Sequence, residues 1–200
     1  MKISLERRDE LLERIVDELL VSGVGDLSLR PLADRVGTSA RLLIYHFQSK
    51  EQLIAAALAE ARRRIEASLS ERAAMVLPQS PRALLVMFWD WATEETNQRY
   101  FRLLFEVEGL AMFDRIYFSE EAHRADSASW AVLIERAAAK MPDQGDRFSS
   151  HSTLITCALS GLLHELLTTG DLEKTTSALA TLIEFISGDD GGPNQDRRNK

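Results

Sequence analysis

The spacing of apolar residues along the chain predicts a series of helices. Between Ser4 and Ser22 apolar side chains recur every three or four positions, which is the spacing of one helix face: Leu11, Leu12, Ile15, Val16, Leu19 and Leu20. Strict alternation of apolar and polar residues, which is typical of a half-buried strand, does not persist anywhere in the sequence. The pattern therefore predicts an all-α protein.

Residues 27–53 carry a shorter version of this pattern, interrupted by a glycine. Ser28 can cap a first helix through its hydroxyl, and Gly37 can end that helix in the left-handed conformation. Ser39 can cap a second helix, Ala40 to Phe47, whose inward-facing residues are Leu43 and Phe47. A helix, a tight turn and a second helix make the geometry that places the second helix in the major groove of DNA.

The charge distribution agrees with this prediction once the chain is divided. The whole chain carries a net charge of −7, but residues 1–65 hold 11 basic and 10 acidic residues, so the acidic excess lies in the remainder. Between Leu27 and Lys50 four basic residues stand against Asp34 alone: Arg30, Arg35, Arg41 and Lys50. A locally basic patch on an acidic protein favours specific contacts with nucleic acid over bulk attraction.

The outward face of the second short helix offers the groups that read DNA. Its residues are Arg41, Leu42, Ile44, Tyr45 and His46. A guanidinium can pair with guanine through two hydrogen bonds, and apolar groups can contact the thymine methyl. The alternative interpretation is a small helical hairpin whose basic face is merely solvated.

At these residues the sequence resembles the TetR family of one-component bacterial transcriptional regulators. The run Leu43 to Glu51 matches the family's leucine, aromatic pair, His-Phe and Ser-Lys-Glu pattern, with Ile44 where tyrosine is usual and Arg41 where a small residue or proline is usual. The resemblance implies phosphate contacts from Tyr45, His46 and Lys50, and base contacts from Arg30 and Ser39 to Leu42. The predicted DNA-binding residues are Ser28, Arg30, Ser39, Ala40, Arg41, Leu42, Ile44, Tyr45, His46 and Lys50.

A long fourth helix is predicted from its cap, Ser49, to a boundary marked by Pro78 and Pro81. It would link the helix-turn-helix to the rest of the chain. Its run of three arginines, Arg62 to Arg64, is expected to be a solvated face.

From Arg82 onward aromatic residues and methionines become frequent, with a helix break expected near Asn97. Core packing explains any one of them, but together they suggest an apolar pocket for a small molecule, which is where the resemblance also implies an inducer site. The predicted pocket residues are Phe88, Trp89, Trp91, Tyr100, Phe101, Phe105, Met112, Phe113 and Trp130. Four carboxylates stand near them for a cationic or hydroxylated ligand: Asp90, Glu94, Glu106 and Glu108.

The last third of the sequence predicts further helices: a stretch from Ser119 to Lys140, a strongly apolar helix from Arg147 to Thr168, and a final helix after Thr169-Gly170-Asp171. The last two resemble the family's dimer interface, a four-helix bundle about a two-fold axis. The predicted interface residues are Leu159, Leu162, Leu163, Leu166, Leu179, Leu182, Ile183 and Ile186. The alternative is burial of these residues within one subunit.

Enzymatic chemistry finds no support in the sequence. Cys157 and His164 lie about 10 Å apart along one helix at ~1.5 Å rise per residue, too far for a nucleophile and its base. His164-Glu165 lacks the second histidine of a zinc-protease helix. No cofactor or metal site is predicted, and Cys157 is either a small apolar group or a thiol sensor. No apolar run is long enough to cross a membrane, and no signal segment appears, so a cytoplasmic location is expected.

The sequence therefore predicts a homodimeric, ligand-responsive regulator, a repressor that binds a palindromic DNA operator and releases it when an unidentified small-molecule effector binds. Residues 1–50 would form the helix-turn-helix domain, residues 51–187 the helical ligand-binding and dimerisation domain, and residues 188–200 a disordered tail. Two alternatives remain open: a dimeric ligand-binding module that does not read DNA, and a transcriptional activator.

Overall fold

The computed structural model describes residues 2–115 and 151–187, and all regular secondary structure within them is helical. The helices are α1 (Lys2–Ser22), α2 (Leu29–Arg35), α3 (Ala40–Phe47), α4 (Lys50–Val76), α5 (Pro81–Ala92), α6 (Glu95–Ala111), α7 (Ser152–Thr169) and α8 (Leu172–Ser187). The predicted fold class is confirmed. The helical stretch expected at 119–140, which contains Trp130, and the tail at 188–200 lie outside the described residues.

The helices begin and end near the capping and helix-breaking residues of the sequence, with one exception. Gly37 has φ +70° in the turn between α2 and α3, a conformation that costs glycine nothing. The break expected near Asn97 is wrong by a few residues, because α5 ends at Ala92 and α6 begins at Glu95. Asn97 instead lies buried in the first turn of α6, where its Nδ2 donates to the carbonyl oxygen of Trp91 at 2.8 Å. Asparagine is common in loops, so the sequence alone does not indicate that the Asn97 amide is buried and links α5 to α6.

The described residues divide into two compact units. The first contains residues 2–75 and 90–115, and the second contains residues 76–89 and 151–187. A single apolar core in the first unit contains residues of the four helices α1, α2, α3 and α4. It also contains Leu103 and Val107 of α6. The core around the helix-turn-helix therefore extends beyond the fifty residues that carry the motif, and α4 and α6 complete it.

Charged side chains on α1 hold the neighbouring helices of the first unit. Arg14 Nη1 donates to the carbonyl oxygen of Val36 at the end of α2 at 2.9 Å, and Glu18 forms an ion pair with Arg35 of α2. A cation at the carbonyl end of a helix also interacts favourably with the helix dipole. Both contacts hold the C-terminal end of α2 against α1.

The sequence predicts that Arg64 of α4 is simply solvated, but in the structure it forms ion pairs. Its Nη1 pairs with Asp17 of α1 at 2.7 Å, and its Nε pairs with Glu60 at 3.0 Å. Arg63 also binds Glu60, at 2.7 Å. Hydrogen bonding from Arg63, reinforced by Arg64, lowers the pKa of Glu60 against the opposing effect of partial burial. Arg64 therefore ties α4 to α1, a role that only the fold reveals.

The second unit is built on the antiparallel pair α7 and α8. Gly170 ends α7, and the turn to α8 is only a few residues long, as predicted. Ile155, Leu159 and Leu163 of α7 are fully buried, and Thr175 of α8 is buried with them, its hydroxyl bound to the carbonyl of Asp171 at 2.8 Å. Trp89 Nε1 donates to Thr176 Oγ1 at 2.9 Å, so the indole of α5 is held by α8 within this unit.

Candidate nucleic-acid interface

α3 begins at a side-chain cap, as the sequence predicts. Ser39 is extended at the N-cap position, and its Oγ accepts a hydrogen bond from the Leu42 amide at 3.2 Å. Ser28 occupies the matching position before α2, but its side chain makes no capping hydrogen bond. The sequence therefore predicts the N-cap position of Ser28 correctly, but the predicted capping hydrogen bond is absent. The exposed Ser28 hydroxyl lies at the start of α2.

Two residues anchor α3 and leave its other side in solvent. Leu43 and Phe47 are buried in the core of the first unit, as their spacing predicts. Arg41, Leu42 and Ile44 are exposed, and Tyr45 is 72% exposed. A helix seldom exposes three large apolar or aromatic side chains within four residues unless that face meets something.

The aromatic residues at the end of α3 contact one another edge to face. The Tyr45 and His46 ring centroids lie 5.1 Å apart, and the His46 and Phe47 centroids lie 6.5 Å apart. The Arg8 guanidinium of α1 stands over the Phe47 ring at 5.1 Å from its centroid. Ring contacts of this kind are weakly stabilising and favour this arrangement of the Tyr45 and His46 side chains.

The α3–α4 junction presents a cation beside a helix N-terminus. Gln48 ends α3 with φ +68°, an uncommon conformation for a residue other than glycine, and this turns the chain sharply into α4. Ser49 caps α4 by accepting from the Gln52 amide at 3.1 Å, as predicted. Hydrogen bonds from its own backbone amide and then from Ser49 lower the pKa of Glu51. Lys50 is half-buried in this first turn, where helix dipole and ammonium would both favour an anion.

The cations of this surface differ in whether a carboxylate already neutralises them. Within the described residues Arg30, Arg41 and Lys50 form no ion pair, whereas Arg35 is paired with Glu18. The local basic excess seen in the sequence is therefore carried by the three residues that were predicted to contact DNA. The ten predicted residues lie on α3 and at the starts of α2 and α4, and Ala40 and His46 are, like Lys50, half-buried.

The predicted pocket residues divide between the two units. Phe88 and Trp89 belong to the second unit, and the others that are described belong to the first. Trp91 and Phe101 are buried and meet edge to face at 6.0 Å, with Trp91 Nε1 bonded to Ser68. Tyr100 and Phe105 are half-buried, whereas Met112 and Phe113 are exposed. Core packing accounts for the buried tryptophans, and the pocket remains a prediction.

Two of the four carboxylates suggested for a ligand already have partners. Glu94 is paired with Arg72 of α4, and Glu106 accepts backbone hydrogen bonds from the turn between α1 and α2. A surface groove of about 480 Å³ does exist in the first unit, between α1 and the end of α2. Its lining is charged and contains none of the aromatic residues: Arg14, Asp17, Glu18, Arg35, Val36 and Gly37.

Most of the predicted dimer residues are buried within the single chain. Leu159, Leu163, Leu166, Leu179 and Ile183 are buried, and only Leu162, Leu182 and Ile186 are partly exposed. The exposed side of the same two helices carries other residues, among them Leu154, Cys157 and Gly161 on α7 and Phe185 on α8. The interface remains a prediction, and any partner would meet this exposed side first.

Residues 2–115 and 151–187 contain neither a cluster of metal-ligating side chains nor a helix that could span a membrane. No three histidine, cysteine, aspartate or glutamate side chains converge there as ligands for a metal ion. None of the described helices combines the length and the apolar character that a bilayer crossing requires.

Residues 11–57 match the sequence model of the bacterial regulatory proteins of the tetR family. The matched range covers most of α1, all of α2 and α3, and the first turns of α4. The N-terminal region is therefore similar to that of the tetR-family regulators. The matched range contains the residues on which the resemblance rests, Tyr45, His46, Phe47 and Lys50, and the two departures from it, Arg41 and Ile44.

Several solved structures are similar in fold to most of this chain. A protein described as a TetR-family transcriptional regulator from Rhodococcus sp. has a TM-score of 0.68 and 22% identity, over 92% of this chain and all of that one. A transcriptional regulator from Rhodococcus sp. Rha1 has a TM-score of 0.67 and 20% identity, over 90% and 95%. The multidrug binding protein EbrR, complexed with imidazole, has a TM-score of 0.60 and 20% identity, over 88% and 94%. No curated protein matches the sequence significantly.

Proposed function

We propose that this protein is a transcriptional repressor that binds a palindromic operator as a homodimer and leaves it when a small molecule binds the C-terminal part. The observation that carries the proposal is the outward face of α3. This face exposes Arg41, Leu42, Ile44 and Tyr45 from a helix that is capped by Ser39 and anchored in the core. A rigid helix with an unpaired guanidinium and apolar tips suits the major groove.

Each exposed group has a distinct task in this proposal. Arg41 donates two hydrogen bonds to a guanine edge, and Leu42 and Ile44 contact thymine methyl groups. Tyr45, His46 and Lys50 bind phosphates, which fixes the register of the helix but carries no sequence information. Ser28 and Arg30 reach the DNA from the start of α2, and Ser39 and Ala40 from the start of α3.

Symmetric sites require two copies of the helix-turn-helix at a fixed separation. Successive major grooves on one face of the duplex lie ~34–36 Å apart. We place the dimer contact on the exposed side of α7 and α8, around Gly161 and Phe185, because the apolar side of both helices is already used within the chain. Gly161 would let a partner helix approach closely, since nothing lies within 4 Å of a Cβ added there.

Release by a ligand is a shift between two dimer spacings. A molecule that binds one spacing better than the other moves the population by as much as its two affinities differ. The aromatic residues of the first unit between Trp91 and Phe113 are the proposed site, and the fold shared with the multidrug binding protein EbrR, complexed with imidazole, supports a small aromatic effector. The carboxylates of this segment contribute less than the sequence suggests, since Glu94 and Glu106 are engaged.

Selection of bound DNA from a random pool tests the DNA-reading proposal. We expect a palindromic sequence to emerge, with affinity that falls as salt rises because phosphate contacts displace counterions. Lys50→Ala should weaken binding to every sequence and reduce the salt slope by about one unit. Arg99→Ala is the matched control, because it removes an exposed cation of α6 that has no place in the proposed DNA interface. Binding without any sequence preference would favour the alternative, a dimeric ligand-binding module.

A reporter placed behind the selected sequence then separates repressor from activator. Repression that is lost in the Lys50→Ala variant supports the proposal, whereas expression that rises with the protein present identifies an activator. A screen of aromatic compounds, scored on release of the selected DNA, would identify the effector.

A further inference from the structure

The carboxylate of Glu106, near the end of α6, binds the turn between α1 and α2. Its Oε2 accepts the amide hydrogen of Val24 at 2.9 Å, and its Oε1 accepts that of Gly25 at 2.8 Å. Hydrogen bonds to a charged acceptor are stronger than those between neutral groups. Some eighty residues of sequence separate the two partners, so this contact belongs to the tertiary structure and has no local role within either helix.

The turn is shaped to receive this carboxylate. Gly23 follows α1 in the left-handed conformation, with φ +71°, and successive amides after such a residue point into one concavity that binds anions. A Cβ on Gly23 would collide with Oε2 of Glu106, and one on Gly25 would lie 2.9 Å from Oε1. The two glycines that flank Val24 are therefore needed for the approach of Glu106, and not only to end α1.

The same turn sets where α2 begins. Val24 and Leu27 are buried in the core with Leu32 of α2, and the Leu27 amide donates to the Val24 carbonyl at 3.2 Å. On the other side, Glu106 sits between Leu103 and Val107, which are part of the same core. The carboxylate thus joins α6 to the backbone from which the helix-turn-helix starts.

We propose that Glu106 is a positioning residue for DNA reading: it holds the α1–α2 turn against α6 and thereby keeps α2 and α3 in the orientation that binds DNA. This inference rests on the proposed function. Glutamine at this position keeps the shape but has one acceptor, and its NH2 group would face an amide donor. If the orientation that binds DNA were then populated one time in ten, the apparent Kd would rise about tenfold.

The test compares wild type and Glu106→Gln in two measurements on the full chain. The first is amide hydrogen exchange at Val24 and Gly25 without DNA, which we expect to accelerate in the variant. The second is affinity for the DNA that wild type selects from a random pool, which we expect to fall about tenfold. Glu95→Gln is the matched control, because Glu95 is an exposed carboxylate on the same helix.

Alanine substitutions at Gly25 and, as a control, at Gly109 keep the inference testable if Glu106→Gln folds poorly. Gly25→Ala places a methyl group against the flexible end of the Glu106 side chain, so it should displace the carboxylate without disturbing the core. It should therefore weaken DNA binding in wild type and change little further in a Glu106→Ala background. Gly109→Ala on α6 is the control, since nothing lies within 4 Å of its added Cβ.

The outcomes distinguish this inference from the proposed function. Unchanged exchange at Val24 and Gly25 in Glu106→Gln would overturn the contact itself, whatever the protein does with DNA. Faster exchange with unchanged affinity for selected DNA would overturn the positioning role alone. A wild type that prefers no sequence would overturn the proposed function and, with it, the positioning role, while the exchange data would still report on the contact.

Discussion

Two surfaces of this protein expose large apolar side chains, and their surroundings differ. On α3, Tyr45 is 72% exposed beside Arg41, which forms no ion pair with any described residue. On α8, Phe185 is 70% exposed, the neighbouring α7 contains no lysine or arginine, and Lys174 of α8 is paired with Glu165. Apolar groups among unpaired cations suit a polyanion that also has methyl groups, whereas apolar groups without cations suit another protein surface. Similar exposure therefore leads to different partners.

The side of a helix that is buried in the core and the side that is exposed to a partner carry different residues. Each of these helices has one side in the core of its own unit, and that side gives it stability. The opposite side is what a partner can reach. For α3 the two sides are Leu43 with Phe47 and Arg41 with Tyr45; for α7 they are Leu159 with Leu163 and Leu154 with Cys157. Stability and binding should therefore respond to different substitutions on the same helix.

The largest expected effect comes from the buried side of α7. Leu163→Ala should lower the free energy of unfolding by ~2–5 kcal/mol, because it leaves a cavity where the side chain is fully buried. Chemical denaturation at protein concentrations low enough for monomers is the measurement. Leu154→Ala, on the exposed side, is the control. A loss that appears only at concentrations where chains associate would place Leu163 in an interface and break the comparison.

The exposed side of α8 should control association instead. Phe185→Asp should weaken self-association by about tenfold or more, since burying such a ring contributes ~1.5–3 kcal/mol and a buried carboxylate is costly. Sedimentation across a concentration series measures this directly. Val21→Asp, an equally exposed position on α1, should leave association unchanged. Equal effects of the two substitutions would mean that α8 is not the contact surface.

The periodicity of apolar residues predicts the helices well. It predicts the exposed face of α3 but not the exposed faces of α7 and α8, and the reason is physical. A repeat of apolar residues identifies the side that is buried. For α3 the predicted DNA-facing residues are the complement of Leu43 and Phe47, and all of them are exposed apart from the partly buried His46. For α7 and α8 the predicted interface is the apolar stripe itself, and the structure places most of it inside the chain.

Long-range polar contacts could not be predicted from the sequence at all. Glu106 and Arg64 read as two more charges on helices, but one binds the α1–α2 turn and the other binds Asp17 of α1. The only local sign was the pair of glycines around Val24, which ending α1 alone does not require. Such contacts depend on which helix faces which, and periodicity carries no information about that.

A base contact on α3 should have an effect that depends on DNA sequence. Arg41→Ala should cost ~1–3 kcal/mol of binding free energy and relax the preference at one base position. Repeating the random-pool selection with the variant measures both. Its stability should not change, because Arg41 is exposed and forms no ion pair with the described residues. An equal loss on every sequence would make Arg41 a phosphate contact.

The two serines that begin α2 and α3 offer a smaller and sharper comparison. Ser39→Ala should lower the free energy of unfolding by ~1 kcal/mol, because the Leu42 amide loses its acceptor. Ser28→Ala should cost no more than a few tenths of a kcal/mol, since the Ser28 hydroxyl makes no capping bond. Thermal unfolding without DNA is the measurement. Equal losses would show that both serines cap their helices in solution.

The smallest expected effect concerns acid stability through α4. The pKa of Glu60 is lowered from its ordinary value of 4.5, first by the hydrogen bond from Arg63, so its contribution is present above that value and is lost as pH falls. Glu60→Gln should therefore be less stable than wild type at neutral pH, by up to ~1 kcal/mol. The two curves of stability against pH should converge below 4.5. A difference that persisted at lower pH would assign the effect to packing of Glu60, because protonation would then leave it unchanged.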